Sequence, residues 1–247
     1  MIKRVSFVIL SAVALMAYES LIGGDTAKPT IHVATDVEEA AQHTVDAEQD
    51  VAIDTSMNTQ RAAMADHKCV ISRFDPLMRK VGAEEGFDWR LMSAIAYSES
   101  RFIEDLVSNQ GAAGIMQIRP VVARHFNVPV ESIHDTETNI RLAGMLLSEL
   151  DTMLRIPAST PERDRLSIIL ASYNAGIGHV LDARRLARAE GANPNSWDVV
   201  SDYLVKKADP AYYELDVVQC GKFTGSGQTL GYVKEVMGKY AQYCNLA

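Results

Sequence analysis

Between Phe74 and Tyr243 apolar residues recur every three or four positions, and no run alternates with a period of two for long enough to build a sheet. One short strand is expected near Val217, and the other predicted elements are helices. The first starts at Phe74-Asp75-Pro76-Leu77, with Leu77, Val81 and Ala83 as core candidates, and Gly86 breaks it. Asp88 caps the second, in which Met92, Ile95, Glu99 and Phe102 fall on one stripe. Gly111 to Pro120 reads as loop and turn, and Pro120 to Phe126 as a short helix. Asp135-Thr136-Glu137-Thr138 caps a long helix in which Ile140, Ala143, Leu147, Leu150 and Leu154 repeat at helical spacing. Thr160 as N-cap and Pro161 at the first position open the next, with Leu166, Ile169, Leu170 and Tyr173 on one side. Gly176 and Gly178 interrupt it, His179 to Ala189 forms another helix ended by Gly191, and Trp197 to Lys207 a further one stopped by Pro210. Thr229 to Tyr243 makes the last. The fold class is mainly α, in one domain.

Glu99 breaks this pattern, because an ionisable side chain stands where a core residue belongs. Desolvation disfavours a charged carboxylate, so a glutamate so placed holds its proton nearer neutral pH, as a general acid must. A buried glutamate paired with an arginine would look the same. Three further segments stand out. In Gly111-Ala112-Ala113-Gly114-Ile115-Met116-Gln117-Ile118, small residues let a ligand approach the backbone and Gln117 offers donor and acceptor groups, although a tight turn with Met116 and Ile118 in the core fits equally. Ala171-Ser172-Tyr173-Asn174-Ala175-Gly176 is either a binding edge or a capped helix end, and Tyr232 either a site residue or a core one.

A net charge of −8, with no run of lysines and arginines among aromatics, excludes a general basic field for nucleic acid. Met1-Ile2-Lys3-Arg4 followed by apolar residues from Val5 to Ala17 reads as an export signal or, if retained, a membrane anchor, over residues 1–24. Residues 25–66 are rich in Ala, Thr, Asp and Glu without aromatics and read as an acidic flexible spacer, leaving 67–247 as the folded domain. Cys69, Cys220 and Cys244 are expected in an oxidising compartment, where two of them could pair; which two is open. Neither their spacing nor His179, which reads as a packing or capping residue, makes a metal site, and no cofactor is implied.

In this order and at these spacings, Glu99-Ser100, Gly114-Ile115-Met116-Gln117-Ile118, Ser172-Tyr173-Asn174-Ala175-Gly176 and Tyr232 give a chain that resembles the soluble lytic transglycosylase catalytic domain. That family is related to goose-type lysozyme, and the likeness is strongest to its membrane-associated murein transglycosylases. Flanking residues agree: Phe87-Asp88-Trp89-Arg90-Leu91, Thr138-Asn139-Ile140 and Gly178-His179-Val180. Ile115 stands where leucine is common and Ser172 where alanine is, changes that preserve size.

The resemblance implies a lysozyme-like helical domain with a substrate cleft, located in the periplasm or cell envelope, whose partners are peptidoglycan glycan strands. It implies cleavage of the β-1,4 bond between N-acetylmuramic acid and N-acetylglucosamine with formation of 1,6-anhydromuramic ends. Glu99 would be general acid and then base, with Ser100, Gly114, Met116, Gln117, Tyr173, Asn174 and Tyr232 around the substrate. A hydrolytic muramidase would need a second carboxylate. Glu104, Asp105, Glu131 and Asp135 do not suggest themselves, while Asp209 or Asp216 could reach the site only through folding. That muramidase and a catalytically silent wall-binding protein are the alternatives.

Overall fold

The chain's structure, a computed structural model, describes residues 70–246. The export segment, the acidic spacer and Cys69 lie outside the described residues. The described elements are helices: α1 Asp75–Glu85, α2 Trp89–Ser100, α3 Pro120–His125, a 3₁₀ turn Val130–His134, α4 Thr136–Leu154, α5 Glu162–Ala175, α6 Ile177–Ala189, α7 Trp197–Lys206, α8 Pro210–Tyr213 and α9 Ser226–Cys244. No strand forms near Val217, which is solvent-exposed; the antiparallel bridges among the described residues pair Ala113 with Val107 and with Ile118.

The capping residues act as their chemistry requires. The Asp88 carboxylate accepts from the Arg90 N–H at 2.8 Å, and Asp135 from the Thr138 N–H at 2.9 Å, each satisfying an amide that the first helical turn leaves unpaired. Other boundaries move by a few residues. Pro161 is itself the N-cap of α5, so the helix starts at Glu162 and Thr160 lies outside it. Gly176, at φ 88°, divides α5 from α6, whereas Gly178 is buried within α6 and does not interrupt it. Pro210 begins α8 rather than merely ending α7, and α9 starts at Ser226, ahead of Thr229.

Helix α1 buries Met78, Val81 and Gly82, while Ala83 is exposed. Gly82 takes the inner position because a Cβ there would sit 2.6 Å from the Phe87 carbonyl oxygen, where the chain turns back into α2. Helix α2 ends at Ser100, short of Phe102, since Arg101 and Phe102 both adopt left-handed backbone at φ 57° and 63°. Phe102 still packs, its ring 6.4 Å from that of Phe74 and 6.1 Å from that of Tyr97.

Helix α5 sits at the centre, packed against α4, α6, α7 and α9, and Leu166 through Ser172 are buried without a break. The one apolar side expected from its sequence is therefore only part of its buried surface: beyond the charged first turns, from Leu166 to Ser172, the helix has no solvent face to mark with charge. Helix α9 returns across the chain to pack on both α2 and α5, which brings the last predicted segment against the first.

The loop feeding α9 is held by a buried ion pair. Asp182 of α6 accepts from the Lys207 ammonium at 2.6 Å and from the Gln219 and Cys220 N–H groups at 2.8 Å each, with both charged side chains at 0% exposure. His179 lies 3.1 Å from the same ammonium and stacks on Phe223 at 4.5 Å; burial pushes its imidazole down to about 4, and the neighbouring lysine charge acts in the same direction. Cys220 and Cys244 are free thiols.

Candidate active site

Glu99 occupies the last turn of α2, one residue before the helix ends. As a residue it is only partly buried, yet its carboxyl lies deep among protein atoms, and that local burial governs its proton. Desolvation pushes the carboxyl from its ordinary 4.5 up to about 8; the Tyr232 hydroxyl pulls the other way, and the negative charge of Glu235 adds to the rise. Glu99 is therefore a neutral acid at pH 7.

Two tyrosines from different helices face it. Tyr173 of α5 and Tyr232 of α9 both feel the Glu99 charge, and burial together with that charge raises both phenols well above their usual range. Tyr173 donates its hydroxyl to the Met116 carbonyl at 2.9 Å, so its position is fixed. The buried Tyr232 hydroxyl faces the carboxyl without forming an aligned hydrogen bond to any protein group. It is thus an available donor beside the acid.

The segment Ala113 to Ile118 makes the adjoining wall. Ala113 and Ile118 exchange two backbone hydrogen bonds at 3.0 Å, and the turn between them places Gly114 at φ 77° and Gln117 at φ 50°. A side chain at Gly114 would put its Cβ 2.5 Å from Asn139 Nδ2, so both backbone angle and packing require glycine. Asn139 reaches in from the first turn of α4. Its amide donates to the Ala113 and Ile133 carbonyls at 2.8 and 2.7 Å, and its oxygen accepts from the Met116 N–H at 2.8 Å.

Of the expected site residues, Ser100, Gly114, Met116 and Gln117 are buried, and Tyr173, Asn174 and Tyr232 are half-buried; the Ser100 hydroxyl donates to the Ile115 carbonyl at 2.8 Å. Gln117 uses its side-chain N–H groups on the Leu106 and Gly114 carbonyls at 3.0 and 2.9 Å, which corrects the expectation that both its donor and acceptor groups are on offer: its Oε1 is what it can present. The Asn174 Oδ1 accepts from the Thr229 hydroxyl at 3.0 Å and ties the end of α5 to α9. Tyr173 and Tyr232 are brought to Glu99.

Two residues were given no role in the sequence reading. Asn139 is one, quoted there only as a flanking residue, and its signal was an amide side chain on the core-facing stripe of α4, next to Ile140. Glu235 is the other: it lies one turn after Tyr232 on α9, and it is the carboxylate whose charge reaches Glu99. The other candidate carboxylates are placed elsewhere. Glu104 pairs with Arg73 and Thr136, Asp135 and Asp209 cap helices, and Asp105, Glu131 and Asp216 are exposed. Among the described residues no group of histidine, cysteine and carboxylate side chains could hold a metal ion.

Comparison with known proteins points the same way as these residues. Residues 76–195 match the family model described as Transglycosylase SLT domain. The Membrane-bound lytic murein transglycosylase F of Alcanivorax borkumensis is 35% identical over 167 residues, covering 68% of this chain and 34% of the relative. The protein of the same description from Vibrio cholerae is 39% identical over 143 residues, covering 58% of this chain and 26% of its own. A solved structure of an inactive mutant of the lytic transglycosylase Slt from Pseudomonas aeruginosa covers 68% of this chain and 23% of that one, at 21% identity and a TM-score of 0.46. The chain spans about a third or less of the length of the curated relatives it matches. Residues 76–195, the stretch that holds Glu99, Gln117, Asn139 and Tyr173, are thus similar to the transglycosylase SLT domain.

Proposed function

We propose that this chain is a peptidoglycan lytic transglycosylase with Glu99 as its single general acid and base. The observation that supports the reading is a carboxyl held neutral at pH 7 between two tyrosine hydroxyls, in a stretch similar to the transglycosylase SLT domain. Protonated Glu99 gives its proton to the glycosidic oxygen between N-acetylmuramic acid and N-acetylglucosamine as the C1–O bond breaks. The resulting carboxylate then takes the proton from the muramic 6-hydroxyl, whose oxygen closes on C1. The product is a 1,6-anhydro ring, Glu99 ends protonated, and no water is consumed. One carboxyl therefore suffices, unlike the pair that hydrolysis uses.

In this reading the Gln117 Oε1, Tyr173 and Asn174 border the sugar, and the Tyr232 hydroxyl holds the Glu99 carboxylate once its proton has left. A Tyr232→Phe substitution removes the donor that lowers Glu99 and so moves the alkaline limb of the pH–rate profile upward. Roughly tenfold lower kcat with KM within about twofold is the expected steady-state result on purified peptidoglycan. An unchanged kcat would remove Tyr232 from the proposed machinery.

We further propose the division into an export signal or anchor at 1–24, a spacer at 25–66 and the catalytic domain at 67–247. Relatives described as membrane-bound support an envelope location and a tether. Among the described residues no helix is long and apolar enough to cross a membrane. The test of the function is mass spectrometry of soluble muropeptides released from purified peptidoglycan by the full chain. Products ending in anhydromuramic acid, one water lighter than reducing ends, support the reading. Reducing ends would replace it with the muramidase, and binding without release would replace it with a wall-binding protein.

A further inference from the structure

The left-handed turn that ends α2 is built around Arg101. Its backbone N–H donates to the Tyr97 carbonyl at 3.0 Å, and its guanidinium donates to that same carbonyl at 3.0 Å while lying 4.0 Å over the Tyr97 ring. The other arm of the guanidinium donates to the Glu235 Oε1 on α9 at 2.8 Å. Lys239, one turn further along α9, stands 4.2 Å over the Tyr97 ring. Arg101 thus sits two residues after Glu99, and Glu235 sits three after Tyr232, so the ion pair spans the same two helices that bring the acid and its tyrosine together.

We propose that Arg101 and Glu235 form a positioning pair that locks the end of α2 to α9 and, by balancing one charge against the other beside Glu99, sets the pH range over which Glu99 keeps its proton. Its relevance to catalysis rests on the proposed function. The groups that bear on Glu99 are Tyr173 from α5 and Tyr232 and Glu235 from α9; Arg101, at the end of Glu99's own helix, reaches it through Glu235, and Lys239 lies over the Tyr97 ring. Among these, Glu235 favours the protonated acid, and Arg101 offsets Glu235. Glu235 is assigned to act through Glu99 by its charge, with one carboxylate oxygen engaged by Arg101.

The two partners should therefore act in opposite directions. In Glu235→Gln the anion disappears and Arg101 is left unbalanced, so Glu99 ionises at lower pH. In Arg101→Gln the anion is left unbalanced, so Glu99 ionises at higher pH. A merely structural pair would respond alike to loss of either partner. Both side chains are partly exposed, at 51% and 43%, so neither substitution opens the core.

The first measurement is a carboxyl ¹³C NMR titration of glutamate-labelled full chain, with the Glu99 signal identified by its absence in Glu99→Gln. A midpoint that moves down in Glu235→Gln and up in Arg101→Gln supports the proposal. Midpoints that stay put, or that move the same way in both, overturn it. The second is kcat/KM against pH on purified peptidoglycan. For Glu235→Gln the expected result is a loss of roughly threefold or more at pH 7.5, under twofold at pH 5.5, with KM and product identity unchanged. Loss at every pH would instead make Glu235 a reacting group and overturn the positioning role. If the wild-type chain releases nothing while the titrations move as expected, the charge balance stands and the proposed function alone fails.

Discussion

Glu99→Gln is expected to lower cleavage by ~10²–10⁴-fold, the usual contribution of a positioned general acid, while making the folded chain more stable at neutral pH. The second effect follows from the proton. Unfolded, the carboxyl ionises near its ordinary 4.5; folded, it ionises at about 8. Below the lower value both states hold the proton and the group contributes no pH dependence. Between the two values the unfolded chain releases the proton and the folded chain retains it, so stability falls as pH rises. Above the higher value both states are ionised and the fall is complete. At pH 7 the loss amounts to about 3 kcal/mol, at 1.36 kcal/mol per unit. The amide introduced by Glu99→Gln has no proton to lose in this range and keeps the size of the protonated acid. Thermal melts from pH 4 to 8 should show wild type and variant together at the acid end. At pH 7 the variant should lie ~5–10 °C higher. Parallel melts across the range would mean that Glu99 is not held neutral by the fold.

Asn139→Ala, by contrast, is expected to destabilise the chain. The substitution leaves the Ala113 and Ile133 carbonyls and the Met116 N–H without their partners, all within a side-chain pocket at 0% exposure. Each buried group left unpaired costs roughly 1–3 kcal/mol, and three sharing one cavity sum to less than three separate losses, so ~3–5 kcal/mol is expected. The melting temperature should drop by about 10 °C. Activity should fall as well, because the same bonds fix the turn that holds Gln117 and receives the Tyr173 hydroxyl. Asn139→Asp keeps the acceptor for Met116 and loses both donors, so it should not restore the wild-type melt. A melt within about 2 °C of wild type for Asn139→Ala would mean that Asn139 does not hold the loop.

Much of the site was legible because its residues violate local rules. A glutamate on an apolar stripe, a glycine-bounded turn inside a helical chain, and an aromatic-amide pair at a helix end are each visible within a few residues of sequence. Asn139 was harder to read, since one amide on a helix gives no sign of whether it faces water or a neighbouring loop. Glu235 was harder still. It reads as an ordinary solvated charge on α9, and only the crossing of α9 over α2 places it beside Glu99 and against Arg101.

Helix periodicity, the aspartate caps of α2 and α4 and the class of the fold came from the chain alone, because spacing and capping are local physics acting over a turn or two. Tertiary structure decided that α5 is buried from Leu166 to Ser172, that Asp182 and Lys207 pair at 0% exposure, and that two tyrosines from distant helices meet one carboxyl. Those outcomes depend on desolvation and on charges brought close from far along the chain. A carboxyl's proton affinity is set by its surroundings, so the sequence could name Glu99, and the packing of α2, α5 and α9 made it an acid at neutral pH.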